Sequence, residues 1–180
     1  LPPNNLLGCR CSHHMERYLL TIYVDLDGVL ANYDAAANAA LNTDNHYHYE
    51  YVWGPEVYWN RLHASGDFFA SLKPYAGAKD FWNSMKGTGH PMAVLTALTK
   101  TNGAAVDKHK REWVKKYIDG QAKVITCMTV EKPNYCQPGD ILIDDRAVNR
   151  DAWIKAGGTY VIHRNANDTL ATLRSLGVIY

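Results

Sequence analysis

Asp25 and Asp27 stand two residues apart, where the apolar run Tyr18 to Val24 meets Gly28. On an extended backbone, residues i and i+2 share a face, so both carboxylates converge at the strand's carboxyl end. Acids that close repel each other unless a proton or cation relieves them, and a hard divalent cation such as Mg²⁺ prefers carboxylate oxygens. A second pair, Asp144-Asp145, follows the apolar Ile141-Leu142-Ile143 and precedes Arg146. An aspartate there can equally cap a helix. Thr96 closes another apolar run and offers a hydroxyl and backbone amides, or else a turn. Lys132 falls in a loop, where a lysine is either solvated or functional. Lys110 shares a helical face with Val106, Trp113, Val114 and Tyr117, so its ammonium must snorkel outward or reach an anion.

The elements that position these groups follow from periodicity. Strand-like runs occur at Leu19 to Val24, Pro91 to Leu95, Lys123 to Thr126, Ile141 to Ile143 and Thr159 to Ile162. Amphipathic helical patterns cover Ala76 to Met85, Ala104 to Ile118, Ala147 to Ala156 and Asp168 to Leu176. This alternation predicts an α/β fold, a Rossmann-like, mainly parallel sheet flanked by helices on both faces. Ligands of such sheets bind at the carboxyl edge, where both acidic pairs would meet. Residues 33–74 interrupt the alternation and are rich in aromatics. Helices are expected at Asp34 to Leu41 and Pro55 to Ser65, forming a small, mainly helical cap over that edge. The expected division is a core of residues 18–32 and 75–180, a cap of 33–74 and a leader of 1–17.

A formal charge of +1 excludes a large electrostatic commitment to nucleic acid or an anionic membrane, so no stable nucleic-acid complex is expected. No apolar stretch reaches the roughly 20 residues that span a bilayer. Cys9, Cys11, Cys127 and Cys136 are too irregularly spaced for a disulfide framework, which makes a reducing cytoplasm the expected location. Cys9, Cys11, His13 and His14 could gather zinc, but a disordered or extraneous leader, with Met15 as the natural start, is the expectation.

The order Asp25-Leu26-Asp27-Gly28-Val29, strand-terminal Thr96, a lysine, and Asp144-Asp145 after a strand resembles the haloacid dehalogenase phosphatase superfamily. Within it, Asp25 to Ala31, Lys110 with Trp113 to Tyr117, and Asp140 to Arg146 look like the 5′(3′)-deoxyribonucleotidase group. The resemblance extends from Tyr18 to about Ile162. It implies that Asp25 attacks a phosphomonoester to form an aspartyl-phosphate. Asp27 would then protonate the leaving alkoxide and activate water. It further implies Mg²⁺ held by the Asp25 carboxylate, the Asp27 carbonyl and Asp145, with Asp144 supporting. Thr96, Lys132 and Lys110 would contact the phosphoryl oxygens. Ala97 stands where the nucleotidase pattern usually has a serine, leaving only its backbone amide for phosphate. Family analogy also makes a homodimer reasonable.

The aromatic insertion points to the organic part of the substrate. Tyr47, Tyr49 and Tyr51 alternate with His48 and Glu50, and Trp53, Tyr58, Trp59, Phe68 and Phe69 follow. Tyr47, Tyr49, Trp53, Trp59 and Phe69 are candidate stacking partners for a base, while the competing role for each is the insertion's own core. The expected function is dephosphorylation of nucleoside monophosphates, deoxyribonucleotides by family analogy. Alternatives are a phosphatase for nucleic-acid 3′-phosphate ends or another small phosphomonoester, and an inactive nucleotide-binding module. A phosphorylatable receiver is disfavoured, because there the acidic pair precedes the single phospho-accepting aspartate.

Overall fold

The computed structural model describes residues 19–180. The Cys9, Cys11, His13, His14 cluster lies outside them. Five strands form one sheet: β1 (Ile22–Val24), β2 (Met92–Ala97), β3 (Lys123–Cys127), β4 (Ile141–Asp144) and β5 (Thr159–Ile162), in the order β3-β2-β1-β4-β5. Every pairing is parallel; Val24 of β1 sits opposite Val94 of β2 and Ile143 of β4. The carboxyl ends of all five strands therefore share one edge.

Strand alternation sorts the core into two faces. Ile22, Val24, Val94, Ile141 and Ile143 join one apolar cluster, with Phe81, Trp82, Val106, Trp113 and Leu173. Tyr23, Ala93, Leu95 and Leu142 join a second, closed by Cys136 and Trp153. The first face is covered by α4 (Ala78–Lys86), α5 (Gly103–Tyr117) and α7 (Ala166–Ser175). The second is covered by α6 (Arg150–Lys155) and a 3₁₀ segment, Thr129–Tyr135. Gly158 is required here, because a Cβ at that position would lie 2.3 Å from Trp153 Nε1.

The insertion folds as α1 (Tyr33–Leu41), α2 (His46–His63) and α3 (Phe68–Ser71). Its buried Leu41, Tyr58, Leu62, Phe68 and Phe69 belong to the same cluster as the first sheet face. Trp113 Nε1 of α5 donates to the Leu72 carbonyl at 2.7 Å, tying the insertion's exit to the core.

Several boundaries differ from expectation, each for a local reason. The second insertion helix begins at His46, nine residues before the expected Pro55. The Asn45 side chain accepts from His48 N, capping a segment whose Tyr-His-Tyr-Glu-Tyr alternation mimics a strand. Gly54, with φ 80° and ψ 162°, breaks α2, and Pro55 restarts it. β1 starts at Ile22 instead of Leu19, which is 59% exposed. Asn165 caps α7 two residues before the expected start, and α6 is shortened at its beginning by a turn through 147–149. The loop expected around Lys132 is the 3₁₀ segment.

Replacing Trp113 with Phe keeps an aromatic ring, though a smaller one, and orphans a buried carbonyl. Thermal or urea unfolding should show a loss of about 1 to 3 kcal/mol. A neutral result would mean that this bond does not anchor the insertion.

Candidate active site

The shared sheet edge brings the acids together through backbone geometry. Asp25 N donates to Ile143 O at 2.9 Å, extending the β1–β4 ladder one residue and setting Asp25 beside Asp144. The chain then turns tightly: Leu30 N and Ala31 N both donate to Leu26 O, and Gly28 N donates to Ala31 O. Gly28 has φ 79°, and a Cβ there would lie 2.3 Å from Asp145 Oδ2. Only glycine allows both this turn and the approach of Asp145. Carboxylate oxygens of Asp25, Asp144 and Asp145 lie within 4.8 Å of one another.

Two buried ammoniums bind this cluster. Lys132 Nζ, 3% exposed, stands 2.8 Å from Asp144 Oδ2 and 3.1 Å from Asp25 Oδ2. Burial alone would lower its pKa, but Asp25 and Asp144 raise it, so the cation persists. Lys110 Nζ donates to Asp27 Oδ2 at 2.6 Å, Ala97 O at 2.7 Å and Thr96 Oγ1 at 3.0 Å. An ammonium has three hydrogens, so Lys110 is saturated and has none free for phosphate. Lys132 keeps one.

Burial raises Asp25 from the ordinary 3.8 to about 6, with Lys132 opposing and Asp144 and Asp27 adding to the rise. Burial likewise lifts Asp145 to about 7, reinforced by Asp25 and Asp144. Asp144 accepts from Lys132 at one oxygen and from Arg146 N at the other. Asp145 makes no ion pair among the described residues and faces the cavity at this edge. Asp27 Oδ1 is buried without a hydrogen-bond partner.

That cavity is lined by Asp25, Asp27, Lys110, Lys132, Asp145 and the Ala97-Leu98-Thr99 strand end. Thr96 does not line it: it is fully buried, with its hydroxyl facing Lys110. Of the insertion candidates, Tyr47, Trp59 and Phe69 reach the cavity, whereas Tyr49 and Trp53 do not. Tyr49 packs on the core and Trp53 is 60% exposed. Helical period explains the split, since Tyr47 and Glu50 are on one side of α2 and Tyr49 and Trp53 on another. Phe69 also carries the Lys110 ammonium 4.7 Å from its ring centroid. Sequence reasoning did not single out Tyr33, Asp34, His46, Tyr58 or Arg146 as lining residues. For Arg146 its place directly after Asp144-Asp145 was a usable signal; for the others only the folded α1–α2 pair reveals it.

The family profile for "5′ nucleotidase, deoxy (Pyrimidine), cytosolic type C protein" matches residues 19–169, which takes in both acidic pairs, both lysines and the insertion. The chain belongs to that family. It is a phosphatase of the haloacid dehalogenase type. Among solved structures, a haloacid dehalogenase-like hydrolase from Streptococcus pneumoniae is 11% identical, with 86% of this chain and 98% of that one covered and a TM-score of 0.53. A haloacid dehalogenase family hydrolase from Deinococcus radiodurans, solved with bound phosphate and sodium, is 12% identical, covers 88% and 96%, and has a TM-score of 0.52. At these identities the likeness is one of fold. Comparison with curated protein sequences gave no match. No helix among the described residues is long and apolar enough to cross a membrane.

The raised carboxyls carry a pH consequence. The folded protein retains protons on Asp25 and Asp145 that the unfolded chain releases near 3.8. Their contribution to stability is full below that value and is lost as pH rises through about 6 and about 7. A divalent cation held by the same carboxyls would take the place of those protons. Mg²⁺ should therefore raise the Tm more at about pH 8 than at about pH 5. An equal or larger rise at the lower pH would contradict this.

Proposed function

We propose that the protein hydrolyses nucleoside monophosphates, deoxyribonucleotides foremost, with Mg²⁺ and through an aspartyl-phosphate on Asp25. The observation that carries this is the unlike treatment of two neighbouring acids. Asp25 shares Lys132 with Asp144 at the bottom of the cavity, while Asp27 is held by Lys110. The donor set suits a hard cation: Asp25, Asp144 and Asp145 supply only oxygens, closely spaced, and burial disfavours ionisation of Asp25 and Asp145 unless positive charge is added. Asp25 and Asp145, which line the cavity, would hold the ion with the Asp27 carbonyl, and Asp144, which does not line it and is bonded to Lys132 and Arg146 N, would support them. Bound there, it would offset the repulsion between a phosphate dianion and the carboxylates and draw charge from the phosphoryl oxygens.

The chain's own residues supply the remaining steps. Asp25 attacks phosphorus; Lys132 keeps one hydrogen for a phosphoryl oxygen and shields the approaching negative charges from each other. The strand-end backbone at Ala97 and Thr99 offers amides to the same group, Leu98 N being taken by Cys127 O. Asp27 donates a proton to the leaving alkoxide and takes one from water in the second half. Lys110 acts through Asp27 as a positioning residue: three donors fixed to Asp27, Thr96 and Ala97 hold that carboxyl in one orientation. The insertion closes over the site, and Tyr47 and Trp59 line the side that would meet a base. The Deinococcus radiodurans neighbour, on the same fold, binds phosphate. Cys127 and Cys136 are buried free thiols, which suits a reducing compartment.

Phosphate release should be measured over deoxy- and ribonucleoside monophosphates, a 3′-phosphorylated oligonucleotide and sugar phosphates, with and without Mg²⁺. Mononucleotides should lead and require the metal. Asp25→Asn should abolish turnover, and Asp27→Asn should lower kcat about 10²- to 10⁴-fold. Preference for the oligonucleotide would replace the substrate assignment, and turnover by Asp25→Asn would remove the nucleophile.

A further inference from the structure

Part of the cavity wall is built from four side chains of α1 and α2 joined in series. His46, 3% exposed, places Nε2 2.9 Å from Asp34 Oδ1 and Nδ1 3.0 Å from Tyr58 Oη. Tyr58 Oη in turn lies 2.8 Å from Tyr33 Oη. All four residues line the cavity that holds Asp25 and Asp27. Tyr33 is tied to the catalytic turn as well, since its N–H donates to Ala31 O and Ala31 bridges Asp27.

Hydrogen counting gives the series a direction. A carboxylate only accepts, so the imidazole hydrogen facing Asp34 resides on Nε2. A neutral ring in that tautomer accepts at Nδ1, and Tyr58 must donate to it. A phenol has one hydrogen, so the Tyr58 oxygen then accepts from Tyr33. With its single hydrogen turned toward Tyr58, Tyr33 has only lone pairs left for a ligand. The other groups along this stretch have the same character. Asp34 is half-exposed, with one oxygen outside the His46 and Tyr47 bonds, and Glu50 makes no ion pair among the described residues. The wall offers acceptors and negative charge, whereas Lys132 and Arg146 supply positive charge elsewhere in the cavity.

We propose that Tyr33, fixed as an acceptor by Tyr58, His46 and Asp34, receives the hydrogen of a sugar hydroxyl on the substrate's alcohol portion. The wall thereby selects uncharged, hydroxyl-bearing leaving groups and rejects those with a second anionic group. This rests on the nucleotidase function proposed above and names the part of the nucleotide that the insertion reads. Asp34 and Glu50 would repel a second phosphate, which makes mononucleotides better substrates than bisphosphates or oligonucleotide ends. Without the series, the Tyr33 hydroxyl could rotate and serve as either donor or acceptor.

The test is kcat/KM of the full chain with Mg²⁺ on ribo-, deoxy- and dideoxynucleoside 5′-monophosphates of one base, a nucleoside 3′,5′-bisphosphate and p-nitrophenyl phosphate. Removing the 3′-hydroxyl, from deoxy- to dideoxynucleotide, should lower kcat/KM about tenfold. The bisphosphate should be cleaved more slowly than the monophosphate. Tyr33→Phe, and Tyr58→Phe as a second break in the series, should bring the hydroxyl ratio toward unity. A folding defect would lower all substrates together and leave the ratio unchanged. Equal kcat/KM across the hydroxyl series in the parent, or an unchanged ratio in Tyr33→Phe with normal Tm, overturns the inference alone. Cleavage of p-nitrophenyl phosphate but of no nucleotide overturns the proposed function and the inference with it.

Discussion

Four carboxylates converge on one sheet edge, and the bonds from two buried lysines to them are the constraint on which the rest of the structure depends. Lys132 spans Asp25 and Asp144, while Lys110 spans Asp27 and the end of β2. Taking such charges out of water costs several kcal/mol per ion unless each finds a close partner, and breaking a buried pair typically costs about 3 to 5 kcal/mol. The fold serves this pairing. α5 presents its Val106–Trp113 face to the sheet and so carries Lys110 inward, and the 3₁₀ segment brings Lys132 down beside β4. Removing either ammonium would leave closely spaced anions without their counterion.

The same pairing separates the acids by environment. Asp25 and Asp145 are raised by burial, which Lys132 and Lys110 only partly offset at Asp25 and Arg146 only partly offsets at Asp145, and both respond to any added positive charge. Asp144 is occupied at both oxygens and sits behind the cavity's lining. Asp27 is gripped at one oxygen, while the other is buried without a partner. A carboxyl oxygen in that state is suited to exchange a proton with an incoming oxygen, since a substrate atom would satisfy it. In the proposed mechanism the division of labour between nucleophile and acid–base group would thus arise from which lysine each acid meets.

The sheet was legible in the sequence because its strands are short apolar runs ending in signal residues, and both acidic pairs fall where β1 and β4 end. Lys110 was visible as a charge on an inward helix face, but its target was not. Reading it as a phosphate contact overlooked Asp27, 83 positions away, together with Thr96 and Ala97 O. Tyr47, Tyr49 and Tyr51 alternate with His48 and Glu50 along the sequence, but α2 distributes them around a helix. His46 and Asp34 are individually unremarkable polar residues, and only the packing of α1 on α2 joins them to Tyr58 and Tyr33. Local pattern therefore located the groups fixed by the backbone ladder, whereas partners supplied by tertiary packing required the fold.

The central claim is that Asp25, seated between Lys132 and the cavity, becomes phosphorylated. Rapid quench of the parent enzyme turning over a nucleoside monophosphate with Mg²⁺, followed by borohydride reduction and peptide mapping, tests it most directly. An acyl phosphate on Asp25 would be reduced to homoserine at that position, and the account predicts that product there, dependent on substrate. Unmodified Asp25 throughout turnover by the parent enzyme, or homoserine at Asp144 or Asp145, would contradict it.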